Sequence, residues 1–464
     1  MTLTPLSPQS DDDPLAQVRE QAHRALDGWL DGLAPLLSGG QPPTLLALSD
    51  HFFASRPQLL GSCLQAVLDH IVEAYGQLTR TDCPHCGRHL YRKRMEDKQI
   101  TTLHGTARLR RPYFYCAECR YGFHPLDLAL ELATETYQYD VQQKVAGLAS
   151  ELPYASAVKQ LETLTGVKAG EHMSHDSVNR LAGATTLETV LPDRAEIERR
   201  IAAAANPEEK PVLVVAVDGA MAPVRPPGGR TDQRGPGFWR EAKGLRLYLL
   251  RGDGRIDSLA SWHQMESAEQ LAEDLLVAAA RIPLEKVEVA LVGDGAAWVW
   301  SAMTGAFPKA HQVLDYYHCC EHLWTVAWVQ QPDAETAQAW VDATLARLSM
   351  EHVSHVIGGL RRTQPASPEA ALEIDKLIAY LSTHKDRLGY DQAKASGLPI
   401  GSGGIESANK HIVQARLKRS GAWWLEENGN GMLRLRCAIT NRTFDRVFQN
   451  YVKLRQKSLS ERNE

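Results

Sequence analysis

Two aspartates in this sequence come directly after apolar stretches that are typical of buried β-strands. Asp218 follows the run 212–217, and Asp294 follows the run 287–292 and stands between two glycines. A carboxylate at the end of a buried strand is held by a rigid backbone and reaches a cleft, which suits the binding of hard cations such as Mg²⁺. Strand-end aspartates also shape turns, but two of them in this setting favour a metal site.

Glu406 is the candidate for a third carboxylate. It follows a glycine-rich turn, 401–404, and stands near the start of a predicted helix, with Asn409 and Lys410 on the next turn. A glutamate at this place often serves only the helix dipole. Asp315, which ends the predicted strand 311–314, is a rival metal ligand.

Taken together, Asp218, Asp294 and Glu406 predict a catalytic site for phosphoryl transfer. In such a site the carboxylates converge on two Mg²⁺ (or Mn²⁺) ions about 3.5–4 Å apart. We therefore expect these three residues to be both the catalytic residues and the ligands of the two ions.

Alternating strands and helices must position these acids. Beyond Pro211 the pattern predicts three strands, a helix and then further strands, which indicates an α/β sheet. A helical stretch from about 321 to 393 precedes the glycine-rich turn, and we interpret it as an insertion in the sheet domain. The predicted strands are 212–217, 245–250, 256–260, 287–292 and 311–314, and the helix is 267–281.

Helical periodicity dominates the sequence before the sheet, at 14–78 and 127–208. Two proline-containing pairs, Pro42-Pro43 and Arg56-Pro57, predict breaks in the first of these stretches. The segment 83–124 between them is rich in β-forming residues and in turn residues.

Two Cys-x-x-Cys pairs lie in that β-rich segment. The pairs are Cys83 with Cys86 and Cys116 with Cys119. Paired thiolates at this spacing are typical of a closed tetrahedral Zn²⁺ site. We expect the four sulfurs to bind one structural zinc ion in a zinc ribbon; redox-active or unliganded pairs are the alternative.

The charge of the chain is unevenly distributed. The net charge of the whole sequence is −5, but residues 83–124 carry nine Lys and Arg against three acids, and residues 406–457 carry eleven against four. Two basic segments in an acidic chain favour local contact with a polyanion such as nucleic acid. Arg110 and Arg111 in the first segment are candidates for DNA contacts.

Length and composition set broader bounds. With 464 residues, 44% hydrophobic and 23% charged, the chain predicts a globular protein of two to four domains. It has no long apolar run for a membrane span and no recognisable export signal, and its cysteines are too few for a disulfide scaffold. These features predict a cytoplasmic protein that does not bind membranes.

The motifs together resemble one known family. From about residue 80 to 445 the chain is similar to the ISKra-type insertion-sequence transposases, bacterial relatives of the Mutator-like group with aspartate–aspartate–glutamate (DDE) active sites. The matching motifs are the two cysteine pairs with Arg111-Pro112-Tyr113 and Pro125-Leu126-Asp127, Val217-Asp218-Gly219, Gly293-Asp294-Gly295-Ala296, Leu314-Asp315-Tyr316-Tyr317-His318 with Glu321-His322-Leu323, Gly401-Ser402-Gly403 through Glu406, and Arg416-Leu417-Lys418 with Gly421 and Trp424.

This resemblance implies an RNase H-like catalytic sheet with Asp218, Asp294 and Glu406 as its acidic triad. It also implies a DNA contact for His318, for which a purely structural role is the alternative. We further expect phosphate contacts from basic residues and either base stacking or core packing by Trp424. The basic residues are Lys410, Arg416, Lys418 and Arg419.

The sequence therefore predicts a multidomain protein that combines an α/β domain with all-α regions. It comprises a helical N-terminal region (1–80), a zinc ribbon that binds DNA (81–126), a helical DNA-binding or connecting region (127–208), the first part of the RNase H-like core (209–320), a helical insertion (321–398), and the last part of the core with basic C-terminal helices (399–464).

The function expected from this organisation is that of a DDE-type DNA transposase, which cuts transposon ends and transfers the strands to target DNA. We expect double-stranded DNA as substrate, a homo-oligomer in the synaptic complex, and association with the bacterial nucleoid. The alternatives are a nuclease without strand transfer, a transposase-derived DNA-binding regulator, and a purely structural zinc protein.

Overall fold

The computed structural model describes residues 15–205, 210–226, 237–251 and 254–460. Across these ranges the chain is a mixed α/β protein, and no helix in them is long and apolar enough to cross a membrane. The chain divides into two compact units. Unit 1 comprises Met1–Ala184 and Phe448–Glu464, and unit 2 comprises Thr185–Val447.

The elements up to the boundary of unit 1 are mostly helical, with short strands between them. They are α1 (Ala16–Asp31), α2 (Ala34–Leu37), α3 (Leu45–Gly76), β1 (Arg80–Asp82), β2 (His89–Tyr91), β3 (Arg94–Thr102), β4 (Gly105–Cys116), β5 (Tyr121–Phe123), α4 (Pro125–Ala129), α5 (Tyr139–Glu151), α6 (Tyr154–Thr165) and α7 (Glu171–Gly183).

Most of the remaining elements belong to unit 2 and build its sheet and the helices around it, while α20 continues from Phe448 in unit 1. They are α8 (Leu187–Val190), α9 (Arg194–Ala204), β6 (Val212–Val224), β7 (Phe238–Leu250), β8 (Ile256–Gln264), α10 (Ala268–Ala279), β9 (Glu288–Gly293), α11 (Ala297–Ala306), β10 (His311–Leu314), α12 (Tyr316–Gln330), α13 (Ala334–Ser349), α14 (Val353–Arg362), α15 (Pro368–Thr383), α16 (Tyr390–Ala395), α17 (Gly403–Ala408), α18 (Ala415–Leu417), α19 (Glu426–Thr440) and α20 (Phe444–Ser460).

Helix α3 packs against strand β4 in unit 1. Side chains of β4 alternate between the two faces of the strand, and the inward ones, Ala107 and Leu109, join Leu68 of α3 in a buried cluster. The prediction of a break at Arg56-Pro57 is wrong, because α3 runs through Pro57. Proline removes one helical hydrogen bond, but close packing holds this turn: a Cβ on Gly105, which has φ +132°, would lie 2.5 Å from the Pro57 carbonyl oxygen.

A five-stranded sheet forms the centre of unit 2, in the order β10-β9-β6-β7-β8. Strands β6, β7 and β8 are antiparallel neighbours, whereas β9 and β10 run parallel to β6. The first half of β6, Leu213–Val217, is at most 1% exposed. Its continuous apolar sequence reflects burial on both faces of the sheet.

Strand β6 extends further than the sequence predicts. Its pairing with β9 ends at Ala216 opposite Val292, but its pairing with β7 continues to Val224. Asp218 therefore lies within β6, two residues past the last residue that pairs with β9, and not at the end of the strand. Asp294 does follow β9 directly, as predicted.

Five helices, α12 to α16, occupy the chain between β10 and the glycine-rich turn. Helix α17 follows this turn and continues through a π-helical turn, Asn409–Gln414, into α18. Such π-turns are rare and occur frequently at functional sites. Glu406 lies in the first turn of α17, three residues before the π-helical turn begins.

Candidate catalytic and metal-binding sites

The half-buried carboxylate of Asp218 is held by two hydrogen bonds. Its Oδ1 accepts from the backbone N–H of Gly219 at 2.7 Å, and its Oδ2 accepts from Asn409 Nδ2 at 2.8 Å. The second bond joins β6 to the start of the π-helical turn, three residues beyond Glu406. It therefore brings the helix that carries Glu406 next to the first aspartate.

Asp294 lies in the loop between β9 and α11. Its Oδ1 accepts a hydrogen bond from Ala296 N at 2.9 Å, and its carbonyl oxygen accepts one from the indole of Trp300 at 2.6 Å. The flanking Gly295 is required by close packing, because a Cβ there would lie 2.5 Å from the ring of Tyr380. Gly295 thus lets α15 approach the aspartate loop, and Gly293 lets α11 do so, since a Cβ there would lie 2.8 Å from Val299.

Glu406 is only partly covered. Ser402 Oγ lies 3.4 Å from its Oε1, and Lys410 Nζ lies 3.9 Å from its Oε2. Both contacts are at the long end for a hydrogen bond or an ion pair, so the carboxylate has capacity for a further ligand.

The electrostatics of Asp218 connect the three acids. Burial, together with the charges of Asp294 and Glu406, raises the pKa of Asp218 to about 6, and the Gly219 N–H and His318 oppose this shift. Asp294 and Glu406 are therefore near enough for their charges to act on Asp218. Mutual repulsion in a partly buried site is a condition that a bound cation would relieve.

Asp218 is supported by the residues that lie beside it on β7 and β8. The register places Asp218 opposite Gly244 and Gly244 opposite His263. A Cβ on Gly244 would lie 2.3 Å from the imidazole of His263, so only a glycine leaves room for that ring. His263 Nε2 lies 3.1 Å from Asn409 Oδ1.

The donor and the acceptor of each hydrogen bond among Asp218, Asn409 and His263 can be assigned. Burial lowers the pKa of His263 to about 3, so the ring is neutral. Because Asn409 donates to Asp218 through Nδ2, its Oδ1 must accept from His263 Nε2–H. We call this chain of His263, Asn409 and Asp218 the amide relay. Sequence reasoning placed Asn409 beside Glu406 but missed His263, since nothing in the sequence gives the register of β7 and β8.

Asp315, the rival ligand, is fully buried. Its Oδ1 accepts from His318 N at 2.8 Å, and its Oδ2 accepts from the backbone N–H of Ser402. Both oxygens thus fix backbone, one at the start of α12 and one in the glycine-rich turn. The imidazole of His318 is 40% exposed, with Nδ1 3.2 Å from Glu321 Oε2.

Of the four basic residues that are candidates for DNA contacts in the segment 406–457, three are exposed and one is buried. Lys410, Lys418 and Arg419 are exposed, whereas Arg416 is 3% exposed and lies 4.9 Å from the ring centroid of Trp424. Trp424 is itself buried and donates from Nε1 to the Leu417 carbonyl at 3.2 Å. Arg416 and Trp424 therefore pack in the interior.

The four cysteines of unit 1 come together as their spacing predicts. Cys83 Sγ lies 3.9 Å from Cys119 Sγ, and Cys86 Sγ lies 3.7 Å from Cys116 Sγ. A tetrahedral Zn²⁺ ion with bonds of about 2.3 Å requires sulfurs about 3.8 Å apart. A backbone N–H from Cys119 lowers the pKa of Cys116 to about 7, which favours a thiolate. The cluster fits zinc.

Within the described residues, these cysteines form the only group of three or more His, Cys, Asp or Glu side chains whose ligand atoms all lie within 4.8 Å of one another. The three carboxylates of unit 2 are more widely spaced.

The two arginines of β4 lie on opposite faces of the strand. Arg110 is exposed and pairs in register with Asp97, while Arg111 is 9% exposed and forms an ion pair with Asp127. Of the two, only Arg110 presents its guanidinium to solvent.

Comparison with known proteins identifies a family and a similarity to solved structures. The family described as an uncharacterised protein family, UPF0236, matches residues 54–450. No curated protein matches the sequence at a significant level. Among solved structures, the Drosophila P element transposase strand transfer complex is 10% identical in sequence, with a TM-score of 0.23 over 71% of this chain and 83% of that chain.

Proposed function

The chain belongs to the UPF0236 family, and we propose that it is a DDE-type DNA transposase whose active site is formed by Asp218, Asp294 and Glu406. The observation that carries the proposal is that the charges of Asp294, after β9, and Glu406, at the start of α17, both act on the carboxylate of Asp218 on β6. The hydrogen bond from Asn409 to Asp218 supports the same arrangement. The motif resemblance described above supplies the reaction class.

The fold supports this proposal. Three antiparallel strands, a helix and two strands parallel to the first agree with the RNase H-like sheet that the resemblance implies. The helices α12 to α16 then correspond to the helical insertion between the second aspartate and the glutamate. The Cys₄ cluster corresponds to the zinc ribbon.

The three acids fit a pair of Mg²⁺ or Mn²⁺ ions. Carboxylate oxygens are the ligands these ions prefer, and the raised pKa of Asp218 reflects burial and repulsion that cations would offset. Two ions about 4 Å apart with bonds of about 2.1 Å span roughly 8 Å, so their ligands need not lie within 4.8 Å of one another. When bound, such ions activate the attacking oxygen and stabilise the leaving oxygen.

The proposed reaction has two steps. Water attacks a phosphodiester at the transposon end, a new P–O bond forms, and the P–O3′ bond breaks to give a free 3′-hydroxyl and a 5′-phosphate. That hydroxyl then attacks a phosphodiester of target DNA, whose own 3′-oxygen leaves and takes up a proton. In each step one P–O bond forms and one breaks, and the proton that the attacking oxygen loses balances the one that the leaving 3′-oxygen takes up.

The remaining residues would bind the DNA. Lys410, Lys418 and Arg419 are exposed in unit 2 and would neutralise phosphates, and Arg110 would do so in unit 1. His318, whose charge acts on Asp218, would contact the scissile phosphate. The protein would act as a homo-oligomer that holds two transposon ends.

The test is cleavage of a supercoiled donor plasmid that carries the element's own ends, in the presence of Mg²⁺. We expect Asp294→Asn to abolish end cleavage and strand transfer, while the same change at the exposed Asp375 of unit 2 leaves both unchanged. Mg²⁺ should also raise the melting temperature of the wild type but not of Asp294→Asn. Equal cleavage by Asp294→Asn would refute the site, and cleavage without strand transfer would indicate a nuclease.

A further inference from the structure

Three large aromatic side chains are exposed at the end of the antiparallel β6–β7 pair, where β6 ends and β7 begins. Trp239 is 54% exposed, Phe238 is 45% exposed and Trp423 is 43% exposed. The ring centroids of Trp239 and Trp423 are 6.3 Å apart. We call these three residues the aromatic surface. Clustered exposed aromatic groups on a protein mark an interaction site more often than isolated ones do.

The backbone beneath the aromatic surface is well fixed. Phe238 and Trp239 pair with Val224 and Pro223 of β6. The segment that carries Trp423 is held against the same strand, because Trp424 N donates to the Pro223 carbonyl at 3.2 Å. The buried neighbour Trp424 anchors this segment, so Trp423 is presented outwards.

A glycine allows the close approach of Trp423. A Cβ on Gly237 would lie 2.3 Å from the Trp423 ring, so the indole lies directly over the backbone next to Phe238. The two tryptophans are thus held by the strand pairing on one side and by this contact on the other.

Positive charge adjoins the aromatic rings. Lys418 Nζ lies 5.7 Å from the ring centroid of Trp239, and Arg419 beside it is exposed. Arg240 is near too, but it pairs with Glu426 at 3.2 Å. Flat π-surfaces next to cations suit nucleobases attached to phosphates, because bases stack on aromatic rings and the phosphates are neutralised by Lys and Arg.

The aromatic surface adjoins the strand that carries Asp218. Pro223, the register partner of Trp239, stands five residues beyond Asp218 on β6. At about 3.3 Å per residue this is about 17 Å, a distance that a few nucleotides span. Because side chains alternate between the two faces of a strand, Trp239 and Asp218 point to opposite faces, so a DNA strand that leaves Asp218 would have to cross the end of β6 to reach the tryptophans.

We propose that the aromatic surface stacks unpaired nucleotides of the DNA next to the cleavage point. This inference rests on the proposed function for the identity of the DNA, and it adds that the substrate is unpaired at this place. Duplex DNA offers only phosphates and groove edges here, since its bases are already stacked on one another.

The test measures binding by fluorescence anisotropy, without Mg²⁺, to a blunt duplex and to the same duplex with a five-nucleotide single-stranded overhang. We expect Trp239→Ala and Trp423→Ala to weaken binding of the overhang DNA about 5- to 150-fold each and to leave blunt-duplex binding unchanged. The conservative variant Trp239→Phe should retain most of the affinity. Lys418→Gln should lower the salt dependence of overhang binding by about one charge.

A matched control exists in the same unit. Trp328 is 61% exposed and stacks on Trp324 with centroids 5.2 Å apart, and Trp328→Ala should change neither affinity. Equal losses for both DNAs in the Trp239 and Trp423 variants would overturn the proposal in favour of duplex contact. No loss for either DNA would overturn it in favour of a protein partner.

Failure of this inference can be told apart from failure of the proposed function. Asp294→Asn should bind overhang DNA as tightly as the wild type, since the binding assay needs no cleavage. If the aromatic variants bind normally while Asp294→Asn still abolishes cleavage, the aromatic surface alone is refuted. If overhang binding depends on the tryptophans but Asp294→Asn cleaves normally, the catalytic assignment alone is refuted.

Discussion

The amide relay leads to a prediction that distinguishes a role in positioning Asp218 from a role only in stabilising the fold. Asn409→Ala removes the hydrogen bond to Asp218 (2.8 Å) and the one to His263 (3.1 Å). Each buried group left without a partner costs about 1–3 kcal/mol of folding free energy. Loss of a residue that orients a metal ligand typically costs about 10–100-fold in metal affinity or activity.

Asn441 provides the matched control for this prediction. It is also a buried asparagine bonded to β8: its Oδ1 accepts from Ser261 N at 2.7 Å, and its Nδ2 donates to the Ser261 carbonyl at 3.0 Å. Asn441→Ala should therefore lower the free energy of unfolding by a similar amount. It should leave catalysis unchanged, because its side-chain hydrogen bonds in the described part of the chain go to the backbone of Ser261 and Val190 and not to a member of the amide relay.

The assay compares donor-plasmid cleavage over a range of Mg²⁺ concentrations at a temperature where circular dichroism shows both variants folded. We expect Asn409→Ala to need about 10–100-fold more Mg²⁺ for half-maximal cleavage, with Asn441→Ala unchanged. His263→Phe, which keeps a ring but removes the donor, should shift the Mg²⁺ requirement in the same direction. If Asn409→Ala and Asn441→Ala behave alike, the relay only stabilises the fold and the reasoning fails.

Two further predictions concern the zinc cluster and a buried glutamate. Purified protein should contain one zinc per chain that Cys116→Ser loses and Cys63→Ser, at a cysteine outside the cluster, retains; metal analysis would contradict the assignment if both variants kept it. Burial, with a smaller contribution from Asp274, raises the pKa of Glu266 to about 8, so its favourable contribution to stability is complete below about pH 4.5 and is lost as the pH rises through 8. Glu266→Gln should thus match the wild type near pH 4.5 and exceed it by on the order of 1–3 kcal/mol above pH 8, and urea unfolding that shows no such divergence would disprove the burial argument.

Those parts of the fold that depend on local sequence were predictable. The position of Asp294 directly after β9 agrees with the structure, because a continuous apolar run specifies a buried strand. The strand at 311–314 agrees as well, and its apolar half, Val313 and Leu314, is the buried half. The extension of β6 to Val224 was not visible. Residues 219–223 have weak strand propensity, and it is pairing with β7 that holds them extended.

Contacts between distant segments lay beyond the sequence. His263 and Asn409 are separated by 146 residues, and only the register of β6, β7 and β8 shows that the imidazole crosses Gly244 to reach the amide. For Arg110 and Arg111, by contrast, the sequence alone indicates that one side chain points inward, since neighbouring residues on a strand point to opposite faces. Arg110 and Arg111 could therefore not both face DNA, and the ion pair with Asp127 shows which one turns inward.

Asp315, the rival of Glu406 for the place of the third metal ligand, is already engaged by hydrogen bonds. It follows β10 as Asp294 follows the neighbouring parallel strand β9, so its place in the sequence suits a metal ligand. Asp315 is fully buried and uses both oxygens to accept backbone N–H groups, one of them from Ser402 in the turn before Glu406. A carboxylate so engaged would have to give up bonds to the backbone before it could bind a cation. Glu406 has only long contacts with Ser402 and Lys410 and so keeps its oxygens for a metal in the proposed site, whereas Asp315 fixes the turn that precedes Glu406.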